Sequence, residues 1–191
     1  MEKAEDHRQH SKHGSVLHDA RLPFILTLVS GLSAIASAIS ALAYGWGLLT
    51  TDTSSLYSQY CGALVGAGTN ATYNASQTAV CTVIIALDKI AASLYIYVPL
   101  LIIIGAFLVF VSVYYRGEMQ SKKWIRSAFS IVFSVSGFVF IMLYLPFEST
   151  VIAALFSFIG TYVLVLATFV AYVILGVAGG IMGFYQLQRN L

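Results

Sequence analysis

Residues 94–126 read LYIYVPLLIIIGAFLVFVSVYYRGEMQSKKWIR. Positions 94–115 hold no Asp, Glu, Lys or Arg, and a helix needs roughly 20 such residues to cross the hydrocarbon core of a bilayer. Residues 116–126 then carry Arg116, Lys122, Lys123 and Arg126 against one carboxylate, Glu118. A span that runs into a basic loop ends on the cytoplasmic side, because Lys and Arg near span ends are retained inside.

The same pattern repeats on either side. Charge-free segments at about 24–49, 127–147 and 160–185 predict three more spans, which makes four with 94–115. Of the ten Lys and Arg residues, nine fall before the first span, between the second and third, or after the fourth; the exception is Lys89 beside Asp88. Both termini are therefore expected in the cytoplasm. The predicted fold is an all-α integral membrane protein: a polar cytoplasmic tail (1–21) and a four-helix transmembrane domain (22–191), with an outer loop at 50–93 and an inner loop at 116–126. The expected location is the cell membrane, with multiple passes.

Composition agrees with this reading. Among the 191 residues 59% are hydrophobic and 9% charged, against about 25% charged in a typical soluble domain. A net charge of +2 without a basic cluster offers no phosphate-binding face, so nucleic acid is not an expected partner. The expected partners are the lipid bilayer and other membrane subunits or a second copy of the chain. The tail is polar and the first apolar segment is too long for a signal-peptide core, so the first span is expected to act as an uncleaved anchor.

The outer loop is an independent check on orientation. It holds both cysteines, Cys61 and Cys81, and two glycosylation sequons, Asn70-Ala71-Thr72 and Asn74-Ala75-Ser76. Disulfides persist in oxidising compartments, and glycan acceptors lie on exported loops. A Cys61–Cys81 bridge is expected, with Asn70 and Asn74 as candidate glycan sites. From Val80 to Leu94, the apolar residues Val80, Val83, Ile84, Leu87, Ile90, Ala91 and Leu94 recur at helical spacing. They predict an amphipathic helix leading into the second span, with Pro99 a possible kink just inside it. Ser149 or Thr150, in the short hairpin at 145–150, is placed to cap the last helix.

Small residues mark the helix-packing faces. Ser33, Ser37, Ala41 and Gly45 share one row of the first span, with Ser30, Ala34 and Ala38 beside it, and Gly176, Gly179, Gly180 and Gly183 lie in the fourth. Lipid gives helices no hydrophobic drive to associate, so close approach through small side chains does that work. Packing within the bundle is the first reading and a dimer face the second. Tyr44, Trp46, Tyr95, Tyr97, Tyr114, Tyr115, Trp124 and Tyr185 sit near span ends, as interfacial anchors do.

Chemistry-bearing patterns are missing. No span core as drawn holds an Asp, Glu, Lys or Arg, and His7, His10, His13 and His18 all lie in the tail. The three-residue spacing of His7, His10 and His13 would let a helix grip a metal, but the interleaved Lys, Arg, Ser and Gln read as an ordinary polar tail. There is no Cys-x-x-Cys, phosphate loop or nucleophile elbow. No catalytic residue, metal or cofactor is expected. The outer face carries few carboxylates, which suits either an acidic exterior or a loop buried against a neighbour.

Four spans, cytoplasmic ends, a long first outer loop with two cysteines and a short second one together resemble the claudin superfamily. Trp46-Gly47-Leu48-Leu49 is similar to that superfamily's loop signature, with Leu49 in place of its final Trp, and Ala86-Leu87-Asp88 resembles its pre-span helix. The two cysteines are more widely spaced than the superfamily pattern. The resemblance implies a small outer β-sheet on a left-handed bundle, and a role in lateral assembly. The expected function is thus non-enzymatic assembly through helix packing and outer-loop contacts. Two alternatives stand beside it: an accessory subunit of a larger complex such as a respiratory oxidase, and a small oligomeric channel lined by Ser and Thr of the first span.

Overall fold

The computed structural model describes residues 21–50, 52–61, 75–116, 120–144 and 159–189. They form five helices: α1 (Leu22–Thr50), α2 (Thr53–Tyr60), α3 (Ala75–Tyr114), α4 (Gln120–Tyr144) and α5 (Ile159–Arg189). Four of them, all but α2, are long and apolar enough to cross a membrane. The tail histidines, the first sequon, Asn74 of the second and the 145–150 hairpin lie outside the described residues.

Local chemistry sets the helix ends. Pro23 sits in the first turn of α1, where the missing N–H of proline leaves no bond unmade. Asp52 caps α2: its side chain accepts from the Ser55 N–H at 3.4 Å, and its carbonyl accepts from the Ser55 hydroxyl at 2.9 Å. α4 begins seven residues before the expected 127, because Lys122, Lys123 and Trp124 are compatible with helix at a membrane boundary that hydropathy alone would exclude.

The largest difference from expectation is α3. The amphipathic helix and the second span form one unbroken helix of 40 residues that passes through Pro99. Its buried row starts at Cys81 and continues through Ile84, Ile90, Ala91, Leu94 and Val98, while Val80 and Val83 are exposed. Both valines continue the bundle-facing side of α3, but they stand past the end of α1 and remain about half exposed. The described part of the 50–93 loop is helical, with no strand among the described residues; a sheet of the kind the resemblance implies would need residues 62–74, which are not among them.

α1 packs along both α3 and α5, α4 packs along α5, and a lighter α3–α4 contact closes the ring. Each neighbouring pair is antiparallel. Phe24 near the start of α1 meets Ser112 near the end of α3, and Ser127 of α4 meets Gly183 of α5. The core runs through Ala34, Ala38, Ala41, Leu94, Leu101, Ile104, Leu108, Ile141, Phe169 and Tyr172. All described cations except Lys89 lie at one end of the bundle, and the disulfide lies at the other.

Candidate functional site

Two features stand out, a hydroxyl-and-glycine seam inside the bundle and a disulfide-pinned cap at one end. The seam begins where α1 and α3 touch backbone to backbone. A Cβ on Gly31 would lie 2.8 Å from the Gly105 carbonyl oxygen, and one on Gly105 would lie 2.7 Å from that of Gly31. Only glycine permits such an approach.

Toward the basic end, hydroxyls bridge α1, α4 and α5. The Ser30 hydroxyl donates to the Tyr172 carbonyl at 2.6 Å, and that of Ser130 to the Gly176 carbonyl at 2.6 Å. Thr27 donates to the Pro23 carbonyl at 2.9 Å and lies 3.3 Å from the Ser130 hydroxyl. The Tyr172 hydroxyl, fully buried, donates to the Phe133 carbonyl at 2.8 Å. Interhelical hydrogen bonds of this kind contribute about 0.6 kcal/mol each on average within a membrane. Ser134 is the exception, a buried hydroxyl with no partner among the described residues.

The predicted packing residues fall as follows. Ser37, Ala41 and Gly45 are buried inside the bundle, and Ser33 is half-buried at its margin. The fully enclosed row is the adjoining one, Ser30, Ala34 and Ala38. Ser37 shares a 2.6 Å hydrogen bond with the Tyr97 hydroxyl and donates to the Val165 carbonyl at 3.0 Å. Any Cβ on Gly45 would strike Leu94; on Gly176, Ser134 and Ser30; on Gly180, Ile131. The chain's own helices occupy these faces.

Among the expected anchors, Trp46, Trp124, Tyr44, Tyr95, Tyr114 and Tyr185 are exposed. Tyr97 instead turns inward to Ser37, as its place on the row Leu94, Val98, Leu101 requires. Gly31, Gly105 and Tyr172 were not singled out by sequence, although Gly105 was visible as the lone glycine in an apolar run. Arg126, counted as a loop cation, is buried within α4. It precedes Ser130 by one turn, and that spacing is the signal that places it on the inward row.

At the opposite end, Cys61 follows α2 and is joined to Cys81 of α3, with Cα atoms 5.5 Å apart. Both sulfurs pack with Ile84 in a small buried cluster. A cavity below the cap, lined by Ser93, Ile96, Tyr97, Ile141 and Tyr144, measures about 20 Å³, the room of one water.

The geometry defines a four-helix, multi-pass membrane protein. No family model matches the chain, and neither a curated protein nor a solved structure is similar to it.

Proposed function

We propose that this protein is a non-enzymatic assembly component of the cell membrane, with both termini cytoplasmic and the disulfide cap outside. There the cap contacts a second copy or another membrane subunit. The observation that carries this reading is how far α3 projects. At 40 residues it is about 60 Å long, roughly twice the hydrocarbon thickness of a bilayer. Leu94 packs against Gly45 near the end of α1, so residues 75–93 stand largely beyond the bundle. That projecting half is tied to α2 by the bond to Cys61, and it exposes Val80 at 46% and Val83 at 50%. Exposed apolar side chains beyond the lipid are what a contact surface presents.

Sidedness is supported by the charge distribution: described cations other than Lys89 gather at the end away from the disulfide, as the positive-inside rule requires. The interior hydroxyls support a structural role. A channel lined by Ser37 would need a side chain already bonded to Tyr97 and Val165. An accessory-subunit role uses the same cap and differs only in the partner.

Native mass spectrometry of protein released in mild detergent tests the proposal. The expected species is a homo-oligomer or a stoichiometric complex, and Val80→Glu with Val83→Glu converts it to a monomer of unchanged helix content. Wild-type protein that is monomeric, with no co-purifying chain, contradicts it.

A further inference from the structure

The basic end of the bundle gathers cations from every long helix. Arg21 precedes α1, Arg116 follows α3, Lys122, Lys123 and Arg126 are in α4, and Arg189 ends α5. The carboxylates among the described residues are Asp52 and Asp88, both at the disulfide end. This end therefore carries a positive field uncompensated by described acids.

Arg126 differs from its neighbours. It is only 4% exposed, whereas Arg116 lies open and stacks over the Phe24 ring at 4.9 Å. No hydrogen bond or ion pair reaches the Arg126 guanidinium among the described residues. Its place is well defined. The next residue, Ser127, packs against Gly183, which also faces Pro23. One turn further on, Ser130 is bonded into the seam. The guanidinium thus belongs to the level where α1 begins and α3 ends, at the boundary between bundle and headgroups.

The enclosed part of Arg126 is its stem, since Ser134 Oγ is the one enclosed side-chain N or O atom without a partner among the described residues; the five N–H donors of its guanidinium therefore face the edge of the bundle and take their acceptors from what lies there. The fork geometry of arginine matches phosphate, which it binds through two parallel hydrogen bonds. In a membrane-spanning protein, the phosphate at this depth is the headgroup of a lipid, and basic clusters between helices recruit anionic lipids. We infer that Arg126 anchors a site for the phosphodiester of one anionic glycerophospholipid, with Lys122 and Lys123 supplying the surrounding field. The inference rests on the membrane-spanning fold and not on the oligomeric role proposed above.

The test is native mass spectrometry of the full chain in detergent, titrated in separate arms with phosphatidylglycerol, phosphatidylcholine of the same acyl chains, and inorganic phosphate. The wild type is expected to retain one phosphatidylglycerol with about tenfold or greater preference over phosphatidylcholine, the ratio expected for charged hydrogen bonds. Arg126→Gln is expected to abolish the preference. Arg189→Gln, at an exposed cation of the same end, is expected to change it by no more than about twofold, in line with a screened surface charge. Should Arg126→Gln fail to fold, Arg126→Lys decides, because a point charge lacks the paired donors and must lose part of the preference. Glu118→Gln guards against an acid of the chain itself being the partner, and it is expected to leave lipid retention unchanged. The site is overturned by equal retention of the two lipids, by an unchanged preference in Arg126→Lys, or by loss of the preference in Glu118→Gln. Full displacement of the lipid by inorganic phosphate overturns the lipid assignment.

Discussion

At the basic end, α1 meets α5 through Leu26 and Thr27 against Gly179 and through Ser30 against Gly176, with a glycine on the α5 side of each contact. At the disulfide end, α1 meets α3 through Ala41 and Gly45, and Leu94, Val98, Ile141 and Phe169 fill the space. The first region is held by backbone proximity and aimed hydrogen bonds, the second by the fit of apolar volume. Hydrogen-bonded contact between backbones admits no added atom, whereas a filled apolar core tolerates a change of shape at constant volume. One helix, α1, thus serves two packing regimes along its length.

The comparison breaks most sharply at Gly176. Gly176→Leu drives a side chain into Ser134 and Ser30, and it is expected to destabilise the bundle by about 3 kcal/mol or more. Leu94→Met, at the other end, is expected to lose no more than about 1.5 kcal/mol. Reversible unfolding in mixed micelles measures both, and equal losses would erase the distinction drawn here.

Next in size is the disulfide. The 20-residue separation of Cys61 and Cys81 corresponds to about 3 kcal/mol of loop-closure stabilisation. The loss in a Cys61→Ser, Cys81→Ser variant is expected to stay local. Hydrogen exchange should accelerate in α2 and in residues 81–93 and remain unchanged near Gly31 and Gly105. Equal acceleration throughout would show that cap and bundle are one cooperative unit.

The smallest effects separate two hydroxyls of the same row. Ser130 donates to the Gly176 carbonyl, so Ser130→Ala is expected to lose roughly 0.6–1 kcal/mol. Ser134 has no partner among the described residues, so Ser134→Ala is expected to be neutral or to stabilise by a few tenths of a kcal/mol, since an unsatisfied buried group is removed. The same unfolding assay ranks them. A larger loss at Ser134 than at Ser130 would reverse the assignment.

What could be read from sequence followed from which signals are local. Apolar length is a property of one segment, so four spans near 24–49, 94–115, 127–147 and 160–185 were legible, as was the pairing of the only two cysteines, whereas the unbroken run of α3 from Ala75 and the start of α4 at Gln120 were not. Helix rotation is a property of neighbours. The row Ser30, Ala34 and Ala38 lies deeper than Ser33 because α3 and α5 both close on that side, and the sequence of α1 alone holds no trace of where they sit. Likewise the periodicity through Val80 and Val83 is genuine, but α1 ends at Thr50 and does not reach those two residues. Tyr97 reads as a boundary aromatic, yet its hydroxyl shares a hydrogen bond with Ser37 of another helix. Arg126 was hidden because hydropathy assigns a cation to a loop before helical register is considered.

In the proposed topology, four spans set the disulfide cap and the cationic end on opposite sides of one membrane. In sealed, right-side-out vesicles, protease cleavage near Tyr60 and the protection of a tag after Leu191 measure this directly. Cleavage at the first site with the tag protected is the predicted result. Exposure of both on the same face would contradict it.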